Sequence, residues 1–158
     1  MATTTEQERQ TQGSAEVSQD KFLEGLNVDL AHEYAAVISY RTYASQVQGQ
    51  WRMELRQFFE SEIPDELGHA ALLADKIVAL GGTPTTQPAP VKPARDSREM
   101  LRNSLEDEIA TIDRYVLRRK QAEALGHYGL AVEFDDLIRD ESTHRDEINM
   151  ILKRWDTG

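Results

Sequence analysis

The chain has 158 residues, 39% hydrophobic and 29% charged, which fits one globular domain large enough to bury a full core. Its 28 acids outweigh 18 bases, and a formal charge of −10 opposes the phosphate neutralisation on which nucleic-acid binding rests. Zero cysteines exclude disulfides, thiolate metal sites and iron–sulfur clusters, and no apolar run approaches the roughly 18 residues of a membrane span.

The chain opens on MATTTEQERQTQGSAEVSQD, which is polar and lacks the apolar centre of a secretory signal. Residues 1–18 are therefore expected to form a flexible arm, residues 19–156 the folded domain, and the protein is expected in the cytoplasm. Steps of three and four pick out one buried stripe on each of four helical stretches. The first runs Leu23, Leu26, Leu30, Glu33, Val37, Tyr40 and Ala44, and Gly49 ends that helix. The second is less regular: Leu55, Phe59, Glu62, Glu66, His69, Leu73. Within it Pro64 has no N–H to donate and is expected to kink or bulge the helix. The segment GGTPTTQPAPVKPARD, 81–96, holds four of the five prolines and predicts an extended crossover. Asp96 then supplies an N-cap with Glu99 three residues on, a capping-box arrangement. The third stripe runs Leu101, Leu105, Glu108, Ile112 and Tyr115, and the helix ends in LGHYGL. The fourth is Leu130, Phe134, Leu137, Glu141, His144, Ile148, Ile151 and Trp155. The predicted fold is all-α, a four-helix bundle with one long crossover between helices two and three.

Every stripe is interrupted near its middle by glutamate, and the interruptions repeat. Glu33 pairs with Glu108, Glu66 with Glu141 and His69 with His144, each at an offset of 75 positions (108 − 33, 141 − 66, 144 − 69). Tyr40 and Tyr115, Phe59 and Phe134, Ile63 and Ile138, and Asp65 and Asp140 share that offset. Two helix pairs related by an approximate two-fold are the reading this demands.

Four carboxylates and two imidazoles in a core need compensation, because buried unpaired charges cost several kcal/mol each. Two divalent cations supply it. Histidine three residues after glutamate shares its helix face, so Glu66 with His69 and Glu141 with His144 can each address one metal. Glu33 and Glu108, arriving singly, are placed to bridge or cap. This is a carboxylate-bridged dinuclear site of the sort four-helix bundles build, and its oxygen and nitrogen donors suit iron or manganese. Solvated surface is the alternative for any single Glu-x-x-His pair, and the register of all six residues argues against it. Asp65 and Asp140 are either surface acids or acceptors for the ring N–H of the opposite half's histidine. Tyr40 and Tyr115 are either plain core or donors to the other half's carboxylate. Glu62 is expected at the surface, with a place on an iron path as the alternative. His32, about 100° around the helix from Glu33, is not expected to be a ligand, and His127 has no visible partner.

The motifs AHEYAAVISY, PDELGH, LEDEI and RDESTH together resemble the ferritin-like di-iron carboxylate family, most closely bacterioferritin, over about Leu26 to Trp155. The resemblance implies a ferritin-like bundle with a ferroxidase centre of two iron ions per subunit. It also implies oxidation of Fe(II) by O2 or H2O2 and storage of ferric mineral inside a homo-oligomer. Bacterioferritins bind haem through a methionine directly after the second helix's ligand glutamate; Leu67 stands there, so no haem is expected by that route. The chain ends at Gly158, so the short fifth helix of 24-subunit cages is expected to be absent. The competing readings are a stand-alone di-metal oxidoreductase, rubrerythrin-like peroxidase or manganese-catalase-like, and a non-catalytic metal-stabilised bundle. No nucleic-acid or membrane partner is expected.

Overall fold

A computed structural model describes residues 17–155; the arm expected over residues 1–18 lies almost wholly outside the described residues. Four helices follow in order: α1 Gln19–Gln46, α2 Arg52–Ala79, α3 Ser97–Ala124 and α4 Tyr128–Leu152. Their ends are set locally. The Ser18 side chain accepts from the Lys21 N–H to start α1, and Asp96 accepts from the Glu99 N–H to start α3. Glu99 reaches back to the Arg95 N–H at 2.7 Å, one residue earlier than a capping box requires. Both α2 and α3 stop at a glycine in the left-handed region, Gly81 (φ 86°) and Gly126 (φ 81°). In each case the next residue donates back five positions, Gly82 to Ile77 O and His127 to Ala122 O, both at 2.8 Å. The second helix is α-helical throughout, so Pro64 neither breaks it nor opens a bulge. No helix among the described residues is long and apolar enough to cross a membrane.

α1 packs on α2 and α3 on α4, and the two hairpins meet along α1 and α3. The crossover of residues 82–94 carries no regular structure and is fastened to α1. Asn27 holds it at two points, donating to Thr83 O at 3.1 Å and accepting from the Thr85 N–H at 2.7 Å. Ala89 N–H donates to Ala31 O, and the Tyr43 hydroxyl donates to Lys92 O at 2.7 Å. These bonds satisfy backbone groups that a proline-rich segment cannot pair internally.

On α1 and α3 most of the stripe read from the sequence is buried, Leu26, Leu30, Glu33, Tyr40 and Ala44 on the one and Leu101, Glu108 and Tyr115 on the other. The buried face extends beyond it toward the preceding positions. Leu23, Val37, Leu105 and Ile112 are only partly buried, whereas Phe22, Asp29 and Tyr43 on α1, Val47 just after it, and Ser104, Thr111, Arg118 and Ala122 on α3 are buried. Apolar side chains gather into two clusters. One includes Phe22, Leu26, Leu30, Ala70, Leu73, Tyr115, Phe134 and Leu137. The other includes Tyr40, Tyr43, Phe59, Leu101 and Ile148. Along each helix the stripe glutamate falls between members of one cluster and members of the other. Each fully buried aliphatic or aromatic side chain contributes about 1.5–3 kcal/mol, so the two plugs hold the polar middle together.

One polar element of this core is absent from the sequence reading. Asp29 on α1 is fully buried and faces two arginines of α3, Arg118 Nε at 2.9 Å and Arg114 Nε at 3.3 Å. A Cβ on Gly25 would lie 2.2 Å from the Arg118 guanidinium carbon, so that glycine makes the space the arginine occupies. Burial pushes the Asp29 carboxyl up to about 6 despite both arginines.

Candidate metal centre

The structure brings Glu33, Glu66, His69, Glu108, Glu141 and His144 into one buried cluster midway along the bundle. They come from the middles of the four helices: Glu33 from α1, Glu66 and His69 from α2, Glu108 from α3, Glu141 and His144 from α4. Their ligand atoms form two groups, each within 4.8 Å: Glu33, Glu66, His69, Glu141, and Glu66, Glu108, Glu141, His144. Glu66 and Glu141 are common to both groups, so Glu33 and Glu108 cap one group each. His69 Nδ1 stands 3.1 Å from Glu141 Oε1, 3.5 Å from Glu66 Oε2 and 3.7 Å from Glu33 Oε2. His144 Nδ1 stands 3.1 Å from Glu141 Oε2, 3.5 Å from Glu66 Oε1 and 4.0 Å from Glu108 Oε1. The two rings lie 6.3 Å apart across the cluster.

The outer nitrogens and the capping acids have partners from the opposite half, as the two-fold requires. Asp140 Oδ2 is 3.5 Å from His69 Nε2, and Asp65 Oδ2 is 3.4 Å from His144 Nε2. Both aspartates are half exposed or more, and an acceptor there fixes the ring with Nδ1 turned inward. The Tyr40 hydroxyl donates to Glu108 and the Tyr115 hydroxyl to Glu33.

The sequence matches the profile of the ferritin-like domain family across residues 23–157. The chain belongs to that family. As a ferritin-like protein it is 29% identical over 142 residues to the bacterioferritin of Streptomyces coelicolor, covering 89% of this chain and 82% of the relative. A ferritin-like, diiron-carboxylate protein from Bacillus anthracis superposes with a TM-score of 0.84 at 48% identity, covering 89% of this chain and 99% of that one. The bacterioferritin of Desulfovibrio desulfuricans, whose structure contains a diiron site, superposes at 0.80 with 27% identity, covering 90% and 84%. The resemblance read from the sequence motifs and the four-helix architecture are both upheld.

Two expectations for this ferritin-like chain are corrected. Glu62 is buried at 9% exposure, not at the surface, and its Oε2 lies 3.3 Å from His144 Nε2. The position 75 further on is Leu137, so this third acid of α2 breaks the two-fold. His127 does have partners: its Nε2 meets Gln19 Oε1 at 3.1 Å and its ring stacks on Phe22. His32 stays outside both ligand groups.

Burial is the largest influence on the titration of all six clustered groups, and it favours their neutral forms. At Glu33 and Glu108 it prevails, reinforced by the charges of Glu66 and Glu141, and both carboxyls rise well above the usual range. At Glu66 and Glu141 the close imidazoles of His69 and His144 outweigh it. Glu66 is lowered and Glu141 is held at about 2. The same contacts overcome burial at the imidazoles, raising His144 to about 11 and His69 strongly as well. In the metal-free cluster these influences favour protons on His69, His144, Glu33 and Glu108 and ionised carboxylates at Glu66 and Glu141.

That arrangement leaves atoms stranded. Glu33 Oε2, Glu66 Oε1, Glu141 Oε1 and His69 Nδ1 are buried without a well-directed hydrogen bond. They converge on the same space, and their chemistry, carboxylate oxygen and imidazole nitrogen without sulfur, fits two first-row divalent cations.

Proposed function

We propose that this protein is a ferroxidase of the ferritin-like family that oxidises Fe(II) at a pair of sites in the bundle centre. The observation that carries the reading is the pair of four-donor groups sharing Glu66 and Glu141 in a buried cluster. Glu33, Glu66, His69, Glu108, Glu141 and His144 would hold the metals, Glu66 and Glu141 being common to both donor groups. Bound iron would supply one-electron redox chemistry, with O2 or H2O2 as the oxidant. Manganese fits the same donors.

The other residues prepare the site for that work. Tyr115 and Tyr40 orient the capping carboxyls of Glu33 and Glu108 by donating to one oxygen of each, and at Glu33 this leaves Oε2 turned toward His69 and the cluster. Asp140 and Asp65 hold the outer ring nitrogens, so that the inner nitrogens present lone pairs once their protons leave. Two apolar clusters shut the ends of the bundle to bulk water.

The ferric product would pass to a store formed by a homo-oligomeric shell, with no haem held through position 67. Apolar side chains left at the surface support subunit contacts, among them Met53 at 82% and Trp51 at 54% exposure. The test is aerobic loading with many Fe(II) per chain, read as particle mass and soluble ferric iron. A large particle that retains the iron is expected. A monomer or dimer stopping near two irons per chain would refute storage. Peroxide turnover by such a species would mark a rubrerythrin-like or manganese-catalase-like oxidoreductase, and no turnover a metal-stabilised bundle.

A further inference from the structure

A cavity of about 90 Å³ opens on the α1–α3 face and runs down to the cluster. Its floor is formed by Glu33, Glu66, Glu108 and Glu141, and its outer wall includes His32, Lys92 and Asp107. The opening exists because the facing positions are small. Ala35, Ala36 and Ser39 on α1 meet Ser104 and Thr111 on α3 here, where the stripes elsewhere place leucine or an aromatic ring. The volume accommodates water or a small hydrated ion, and the polar walls keep it wet.

Lys92 closes the outer end. Its Nζ lies 2.7 Å from Asp107 Oδ1 and 3.2 Å from Glu106 Oε2, so a crossover side chain reaches over to α3. The Lys92 carbonyl is held by the Tyr43 hydroxyl, and Pro93 O accepts from Asn103 Nδ2 at 3.1 Å. The backbone is thus pinned, while the side chain is 40% exposed and is held at its tip by the half-exposed carboxylates of Asp107 and Glu106. Resting on the di-metal reading of the cluster, we infer that this cavity is the cation entrance and that Lys92 is its gate. Paired with Asp107, the ammonium stands in the path of an incoming divalent ion and repels it. Rotated away, it uncovers Asp107 and Glu106, which attract the ion, with the His32 imidazole and Asp107 carboxylate available as passing ligands above the four floor acids. The gate selects for cations by exchange: an ion must substitute for the ammonium at Asp107 before it descends. Lys92 is a positioning residue here, since it touches neither metal nor oxidant in the loaded site.

The experiment measures the rate at which metal-free protein takes up Co(II), followed by the visible absorption of the bound ion in a stopped-flow instrument at low ionic strength. Lys92→Met leaves Asp107 and Glu106 unpaired at the mouth and is expected to raise the rate about threefold or more. Asp107→Asn leaves the lysine charge alone there and is expected to lower it by about as much. The final spectrum and the number of ions bound stay as in the wild type, and the rate differences shrink at high salt, since the charges at issue are exposed. Lys120→Met, the same charge change about 20 Å further along α3, leaves the rate within twofold. Two bound Co(II) with rates indifferent to positions 92 and 107, or equally sensitive to position 120, would overturn the entrance alone. Failure of the wild type to bind Co(II) would overturn the metal-site reading and the entrance together.

Discussion

Loading the cluster with metal should release about four protons for each pair of divalent ions. The count follows from the groups themselves. In the metal-free state His69 and His144 are held protonated by the surrounding carboxylates, and Glu33 and Glu108 by burial beside two ionised acids. All four protons must leave before the atoms can act as ligands, and two divalent charges replace four single ones. Metal affinity then climbs steeply with pH, on the order of a hundredfold per ion for each unit while those groups remain protonated. The assay is an anaerobic titration with Mn(II) or Co(II) in weakly buffered solution near neutral pH, with proton release followed by an indicator dye. Glu33→Gln removes one exchangeable proton and keeps an oxygen that accepts from Tyr115, so its release should fall to about three. Release of two or fewer protons per pair by the wild type, or no change in Glu33→Gln, would refute the proposed charge state of the cluster.

Stability of the metal-free protein should fall as pH rises from about 5 to about 8, whereas the metal-saturated protein should gain over the same range; calorimetry at several pH values checks both. The sign follows from the direction of each shift. The raised carboxyls Glu33 and Glu108 hold protons in the fold that the unfolded chain loses above about 4.5, so their contribution is lost as pH rises toward their folded values. His144, raised to about 11, contributes fully below its unfolded value of 6.5 and loses that contribution on further rise. Glu141 works at the other end, contributing above about 4.5 and losing its share as pH falls through about 2. Glu141→Ala removes a ligand common to both groups, and the thermal stabilisation by saturating metal, about 4 kcal/mol at a thousand times Kd, should largely disappear. Asp29→Ala should cost about 3–5 kcal/mol in denaturant unfolding by leaving Arg118 buried without its carboxylate, while Asp29→Leu with Arg118→Met should recover most of the loss.

The helices, the crossover and the six clustered residues were legible in the sequence because each leaves a local or periodic trace. Capping by Asp96 and the stops at Gly81 and Gly126 depend on neighbours in the chain. The Glu-x-x-His pairs share a helix face by geometry alone, and the offset of 75 carried the two-fold into three dimensions without further information. The offset also carried the cross-half partners Asp65, Asp140, Tyr40 and Tyr115, which the reading held open between contact and surface or core. Asp29 left a trace that was missed: Phe22, Leu26, Asp29, Glu33, Tyr40, Tyr43 and Val47 keep a three-four rhythm as good as the one read, sharing Leu26, Glu33 and Tyr40 with it.

What the tertiary structure decided is where periodicity falls silent. A helical stripe fixes the direction of a face but not its width, because width depends on how closely neighbouring helices approach. Glu62 lies at the margin of such a face, and its burial against His144 follows from the position of α4 beside α2. The choice of Arg118 and Arg114 as partners for Asp29 depends on the crossing of α1 over α3, some ninety residues apart in sequence. The seating of Lys92 depends on a segment with no repeat and no regular hydrogen bonding of its own, positioned by Asn27, Ala31 and Tyr43 of another element. Local sequence encodes backbone conformation and facing through short-range sterics and periodic burial, whereas contacts between charges brought together by the fold depend on distances that no single segment specifies.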